Sequence, residues 1–168
     1  LETEDKPDLP VLMILDEFAV LGHMKQIEDA AGQIAGFGAK LWPIVQDLGQ
    51  IKALYGERWE SFAANAGMWQ CFGNNDVTTL EYISKRLGQT SIISKSAGQT
   101  GQDAKAWSTQ QGLSWSVQVI DLMTPEEVAR FFDRDDRQKR QLIIRAGKDP
   151  VIASRVIYYE DARLKKLI

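Results

Sequence analysis

The sequence predicts an α/β fold with a mainly parallel sheet, and three observations carry that reading. An apolar run, Val11-Leu12-Met13-Ile14-Leu15, leads straight into two carboxylates, Asp16 and Glu17. A second run, from Ala39 to Val45, leads into Gln46 and Asp47. Between and after these runs, segments with apolar residues at helical spacing alternate with short apolar strands, the pattern of a parallel sheet covered by helices on both faces. Strands buried on both faces are nearly continuous in apolar residues, as these are.

The totals fit one domain with a substantial core: 168 residues, 44% apolar and 26% charged. A net charge of −3 argues against a nucleic-acid binder driven by bulk charge, although a local basic surface is compatible with that average. The single Cys71 excludes an internal disulfide, and with the lone His23 it argues against a His/Cys zinc site. No run approaches the ~20 apolar residues of a membrane span. The expectation is a soluble, cytoplasmic piece. With no initiator Met, it reads as a fragment of a longer protein.

Residues 1–10, punctuated by Pro7 and Pro10, read as a linker. After Phe18 a short loop leads to a helix from Met24 to Ala35, with Met24, Ile27, Ala31 and Ile34 on one face and Gly36-Phe37-Gly38 as its stop. The Ala39–Val45 strand is followed by a helix capped by Asp47, carrying Leu48, Ile51 and Leu54 and ended by Gly56. Glu57 to Ala66 reads as a further helix with Trp59, Phe62 and Ala63 on one face, and Met68 to Gly73 as a third strand. Asp76 then caps a helix through Leu80, Ile83 and Leu87 to Gly88.

From Gln89 the character becomes β-rich. Thr90 to Ser94 and Leu113 to Ile120 read as a strand pair joined by a long Gly/Gln/Ser/Thr loop from Ala97 to Gln111. Thr124-Pro125-Glu126-Glu127 has the spacing of a capping box and opens a short helix to Phe132. Gln141–Arg145 and Val151–Tyr159 form two last strands around a Gly147-Lys148-Asp149-Pro150 turn, before a short closing helix from Asp161.

In open α/β sheets the ligand crevice lies outside the carboxyl ends of the strands, which is where Asp16, Glu17 and Gln46 are expected to emerge. In phosphoryl transfer such a set has a use. The first acid holds the magnesium shell, the second polarises an attacking water, and the polar residue on the next strand senses the γ-phosphate. The competing structural reading is an acid pair that simply caps the following helix. A phosphate loop of the form G-x-x-x-x-G-K-[ST] is not present.

The ordered set Leu15-Asp16-Glu17-Phe18, Leu21-Gly22, Gly36-Phe37-Gly38-Ala39-Lys40-Leu41-Trp42, Gln46-Asp47-Leu48-Gly49-Gln50-Ile51 and Tyr55-Gly56 resembles the type IV secretion and conjugation coupling proteins. The resemblance continues through Asn65, Ile83 to Gly88, Leu122 to Val128 and Tyr158-Tyr159, nearly the whole chain after Pro10. It implies residues 11–168 of a RecA-like nucleotide-binding domain, with the Walker A part, an all-helical insert and a membrane anchor all outside this sequence.

The resemblance further implies a homo-hexameric ATPase at the cytoplasmic face of the bacterial inner membrane. Such a protein feeds single-stranded DNA with its relaxase, or effector proteins, to the components of a type IV secretion channel. Its cofactors are ATP and Mg²⁺, neither expected to bind tightly to this piece alone. Asp16 and Glu17 match the Walker B acids, with Asp16 on the metal and Glu17 on water, and Gln46 matches the γ-phosphate sensor. An arginine that some relatives carry before that Gln is replaced here by Ile34-Ala35-Gly36, so a role toward a neighbour's γ-phosphate falls to Lys40 or Arg58, or to neither. A non-catalytic module that docks relaxase, effector or adaptor proteins is the alternative.

Other conspicuous residues have structural readings. Trp42, Trp69 and Cys71 lie in apolar strands and are expected in the core. Trp107 and Trp115 flank the polar loop, either packed beneath it or presented for stacking on single-stranded DNA. Arg130, Arg134, Arg137, Lys139 and Arg140 alternate with Asp133, Asp135 and Asp136, a self-paired surface. His23 reads as a loop histidine without a catalytic part.

Overall fold

The computed structural model describes residues 9–30, 32–98 and 112–167. Seven strands run in chain order: β1 (Val11–Leu15), β2 (Ala39–Pro43), β3 (Met68–Cys71), β4 (Gln89–Gly98), β5 (Gly112–Asp121), β6 (Arg140–Arg145) and β7 (Val151–Ser154). The helices are α1 (Lys25–Ala30), α2 (Leu48–Tyr55), α3 (Trp59–Asn65), α4 (Val77–Leu87) and α5 (Pro125–Phe131). The chain is α/β, as expected. Its strands divide into a parallel pair β1–β2, an antiparallel β3–β6–β7 sheet and the β4–β5 hairpin.

That division corrects the expectation of a mainly parallel sheet. Among the described residues the parallel pairing is confined to β1–β2, whereas β3 takes β6 as its antiparallel partner, Trp69 opposite Ile144 and Cys71 opposite Leu142. The physical reason is that β6 and β7 form a hairpin through the tight 146–150 turn, and β6 offers β3 an unpaired edge matched in apolar pattern.

The helices follow their caps. Asp47 accepts from the Gln50 N–H at 2.8 Å, Asp76 from the Thr79 N–H at 2.8 Å, and Thr124 and Glu127 close a reciprocal capping box. Gly56 and Gly88 end α2 and α4 at positive φ, 55° and 80°, where a side chain would be strained. The helix expected over Met24–Ala35 is a correction: α1 stops at Ala30 and a 3₁₀ turn covers Ile34–Phe37. Gly32 and Gly36 weaken the helix there, and the Gln33 and Gly36 amides take three-residue bonds to Ala30 and Gln33 instead.

The remaining differences are local. The loop after Glu17 is a 3₁₀ turn, Phe18–Leu21. The closing helix is reduced to a 3₁₀ turn at Lys165–Leu167, because Asp161 draws the Arg163 amide and guanidinium onto its own carboxylate. β7 ends at Ser154, where the Arg155 N–H turns to the Lys139 carbonyl. The linker reading for residues 1–8 and most of the loop after Gly98, Trp107 included, lie outside the described residues.

Two apolar clusters hold the chain together. In the first, Phe18, Leu48, Ile51, Tyr55, Trp59 and Ala63 pack the turn after β1 against α2 and α3. In the second, Cys71, Leu80, Ile83, Val128, Phe132, Leu142 and Ile144 pack α4 and α5 on the β3–β6–β7 sheet. Trp69 is half-buried and touches both, stacked on Tyr82 at 5.3 Å. Cys71 is core, as expected, but Trp42 is 46% exposed. Its strand has a partner on one edge and no described element covering that side chain.

Candidate functional site

The site is built where β1 and β2 end together. The Ile44 N–H donates to the Leu15 carbonyl and the Phe18 N–H to the Ile44 carbonyl, both at 2.9 Å, so the parallel register continues past the last strand residues. Phe18 is then driven inward, fully buried and stacked on Tyr55 at 5.9 Å between ring centres. With Phe18 as the anchor, the two residues before it are left at the surface, and Asp16 and Glu17 are both exposed.

Their local geometry separates the two sequence readings. Glu17 sits at φ 48°, ψ 47°, a left-handed conformation that costs a non-glycine residue about 1 kcal/mol or more. Although it stands at the N-cap position of the 3₁₀ turn, its side chain makes no capping hydrogen bond. Asp16 Oδ1 accepts the Glu17 N–H at 3.0 Å, which holds the turn. Neither carboxylate is therefore consumed in capping a helix, and both face solvent at the carboxyl edge.

Gln46 comes to the same edge. Its carbonyl accepts from Asn74 Nδ2 at 3.3 Å, which ties the end of β3 to the end of β2. A relay beneath it joins the helix starts: the Leu48 N–H donates to Thr79 Oγ1 at 2.8 Å, and the Thr79 N–H to Asp76 Oδ2. Asp76 Oδ1 is buried with no hydrogen-bond partner among the described residues. Thus α2 and α4 start side by side, tied through Leu48, Thr79 and Asp76, at the end of β2 that leads to Gln46. Asn74 and Asp76 were not foreseen as members of this edge; the polar Asn74-Asn75-Asp76 after a third apolar strand was the available signal.

The remaining sequence candidates lie elsewhere. Lys40 pairs with Leu12 near the amino end of β2, at the end of the ribbon away from Asp16. Arg58 is held by Glu28 at 2.6 Å, and Asp29 Oδ1 is 4.0 Å away. Glu28, its side chain only 8% exposed, also lies 2.8 Å from His23 Nε2. The His23 contact, with Arg58 behind it, holds the Glu28 carboxyl below its usual range against the opposing effect of burial. His23 is thus a hydrogen-bond partner of Glu28, resting edge-on against Tyr55. Trp115 is exposed on β5 with the Lys95 ammonium 5.4 Å from its ring centre. Arg140 is paired in bidentate fashion with Asp136, as the self-paired surface reading expects.

A divalent cation has no protein cage here, since no group of three or more His, Cys, Asp or Glu gathers among the described residues. One exposed carboxylate with a free oxygen, Asp16, suits Mg²⁺ all the same, because Mg²⁺ keeps most of its waters and takes one or two carboxylates plus phosphate oxygens.

Residues 1–167 match the family model described as type IV secretory system conjugative DNA transfer. The chain is 30% identical over 162 residues to the protein VirD4 of Rhizobium rhizogenes, covering 94% of this chain and 22% of that one. It is 31% identical over 123 residues to the conjugal transfer protein TraG of Escherichia coli, covering 71% and 19%. It therefore spans about a fifth of the length of the curated relatives it matches.

Among solved structures, the conjugative coupling protein TrwBdeltaN70 in an unbound form superposes with a TM-score of 0.69 at 16% identity, over 92% of this chain and 33% of that one. TrwB in complex with ADP and Mg²⁺ superposes at 0.64 and 15% identity, over 90% and 32%. These likenesses establish a shared RecA-like fold. By its match along almost its entire length, the chain belongs to the type IV secretory system family of conjugative DNA transfer, the coupling proteins.

Proposed function

We propose that this chain is the C-terminal portion of the motor domain of a coupling ATPase, beginning at its Walker B strand. In the longer protein, ATP hydrolysis at subunit interfaces of a hexamer drives single-stranded DNA with its relaxase, or effector proteins, into a type IV secretion channel at the inner membrane. Among the described residues no helix is long and apolar enough to cross a membrane. The observation that carries the reading is the edge itself: Asp16, Glu17 and Gln46 follow strand ends joined by the Phe18–Ile44 and Ile44–Leu15 hydrogen bonds, with the Glu17 carboxylate and one Asp16 oxygen left unbonded.

The residues divide the work by position. Asp16, with one oxygen fixed on the Glu17 amide, would hold Mg²⁺ through the other. When bound, that cation neutralises charge developing on the β- and γ-phosphates. Glu17, aimed outward by its left-handed backbone, orients and polarises the attacking water. Gln46 would sense the γ-phosphate, and the Asn74 bond to its backbone carbonyl would couple it to the end of β3. The phosphate-cradling loop comes from a segment other than this one, which has no G-x-x-x-x-G-K-[ST]. The complexes of TrwB with ADP and Mg²⁺ and with a non-hydrolysable ATP analogue support nucleotide as the ligand.

The test is Asp16→Asn in the longer protein. ATP hydrolysis is expected to fall at least ~100-fold with assembly intact. Unchanged hydrolysis with loss of DNA transfer would instead favour the docking module.

A further inference from the structure

A second set of charges gathers at the opposite end of the β3–β6 pair. Arg86 from α4, Arg145 at the end of β6 and Lys148 in the following turn line one cavity, together with Gly147 and Asp149. Arg145 stands opposite Met68, the first residue of β3, whereas Gln46 is tied to Asn74 beyond the last. The cavity and the acid edge are therefore at opposite poles of β3.

The cavity is cationic in a chain of net charge −3. Three cations line it against one carboxylate. Among the described residues none of the three has a carboxylate oxygen within 4.0 Å, Asp149 included. Arg145 and Lys148 are exposed and Arg86 is half-buried, so all three are open to an anion from outside.

Arg86 is also pre-positioned. Its guanidinium carbon lies 5.0 Å from the Trp69 ring centre and 5.7 Å from that of Tyr82, and Nη1 donates to the Ala63 carbonyl at 3.3 Å. A half-buried arginine held this way keeps further donors of its planar fork for a ligand. Because it covers the Trp69 face, that ring is not free to stack on a base, and what remains is a site for phosphate without base recognition. Gly147, at φ 67°, makes the sharp turn that carries Lys148 back beside Arg145.

We propose that this cavity binds the phosphodiester backbone of single-stranded DNA, as a track separate from the nucleotide edge. The choice of a nucleic-acid phosphate rests on the DNA-transfer part of the proposed function. It does not depend on ATP hydrolysis.

The experiment is fluorescence anisotropy of a labelled oligo-dT with the 168-residue chain, titrated over salt without nucleotide or Mg²⁺. Because neither is present, its result is independent of whether the edge hydrolyses ATP. Lys148→Ala and Arg145→Ala, both at exposed positions, are each expected to lower the slope of log K against log salt by about 0.7. The loss should be the same on oligo-dT and oligo-dA. Arg86→Lys, which keeps the charge and the packed stem but loses the fork, is expected to weaken binding while leaving the thermal midpoint in place. Lys52→Ala, on the exposed side of α2, should change neither slope nor affinity.

Three results overturn the proposal. One is no salt-dependent binding by the unaltered chain. Another is a change for Lys52→Ala equal to that for Lys148→Ala. The third is displacement of the oligonucleotide by inorganic phosphate at matched phosphate concentration, which would make this a free-phosphate site.

Discussion

Two strand systems of similar apolar character are covered very differently. In β6, Leu142 is 2% exposed, enclosed by β3, β7, α4 and α5. In β1, Ile14 is 56% exposed, and Val11 and Leu12 are close to that. Both strands are written for burial, but the chain supplies two neighbouring strands and two helices to one, and to the other a single partner strand, β2. An apolar strand states a demand for cover, and the cover is met wherever the rest of the domain lies. The uncovered strand is the one that delivers Asp16 and Glu17.

The contrast can be broken most sharply by equal truncations. Leu142→Ala is expected to cost about 2–5 kcal/mol in urea unfolding. Ile14→Ala in this chain should cost under about 1 kcal/mol, because its side chain already meets water. Equal losses would contradict the contrast, and a larger loss for Ile14→Ala in the longer protein would sharpen it.

Chemical access tests the closed half directly. Burial among β3, α4 and α5 pushes the Cys71 thiol up to about 12. Alkylation at about pH 8 should therefore proceed only as fast as the chain opens, and rapid modification of the folded protein would show that this core is loose. A smaller effect is expected at the helix that closes it: Thr124→Ala, which removes one arm of the α5 capping box, should cost about 1 kcal/mol.

On the acid-bearing half, the least effect is a pH dependence. Glu28 has its carboxyl lowered in the fold from an ordinary value of 4.5, first by the His23 contact. Its contribution is complete above that ordinary value and is lost as pH falls through the lowered folded one. Glu28→Gln should flatten the acid limb of the urea midpoint below about pH 4.5 and leave the neutral range shallow, as before. An unaltered acid limb would show that Glu28 is not anchored as the structure has it.

What was legible in the sequence was local. Asp47, Asp76 and Thr124 with Glu127 announce their helices because a cap satisfies amides only two or three residues away, and Gly56 and Gly88 end theirs for the same short-range reason. The acid turn was legible because an apolar run stops abruptly at Asp16. Two things were not. The pairing of β3 with β6 joins residues about seventy positions apart, and no short-range pattern says which edge a strand will choose. The Met24–Ala35 stretch has helical apolar spacing, yet its glycines let turn hydrogen bonds prevail over propagation. Asp16, Glu17 and Gln46 follow the ends of two paired strands, as the two apolar runs suggest. Lys40 does not, since a residue near the start of a parallel strand is carried away from the edge where that strand ends.

Glu17 is the exposed acid whose side chain makes no capping hydrogen bond, and it is the residue on which catalysis at this edge depends most directly. In the longer protein, Glu17→Gln should retain bound ATP with Mg²⁺ while turnover falls by about 10²–10⁴-fold, the loss of a group that acts on the attacking water. Hydrolysis at the original rate would contradict the assignment of this edge to catalysis.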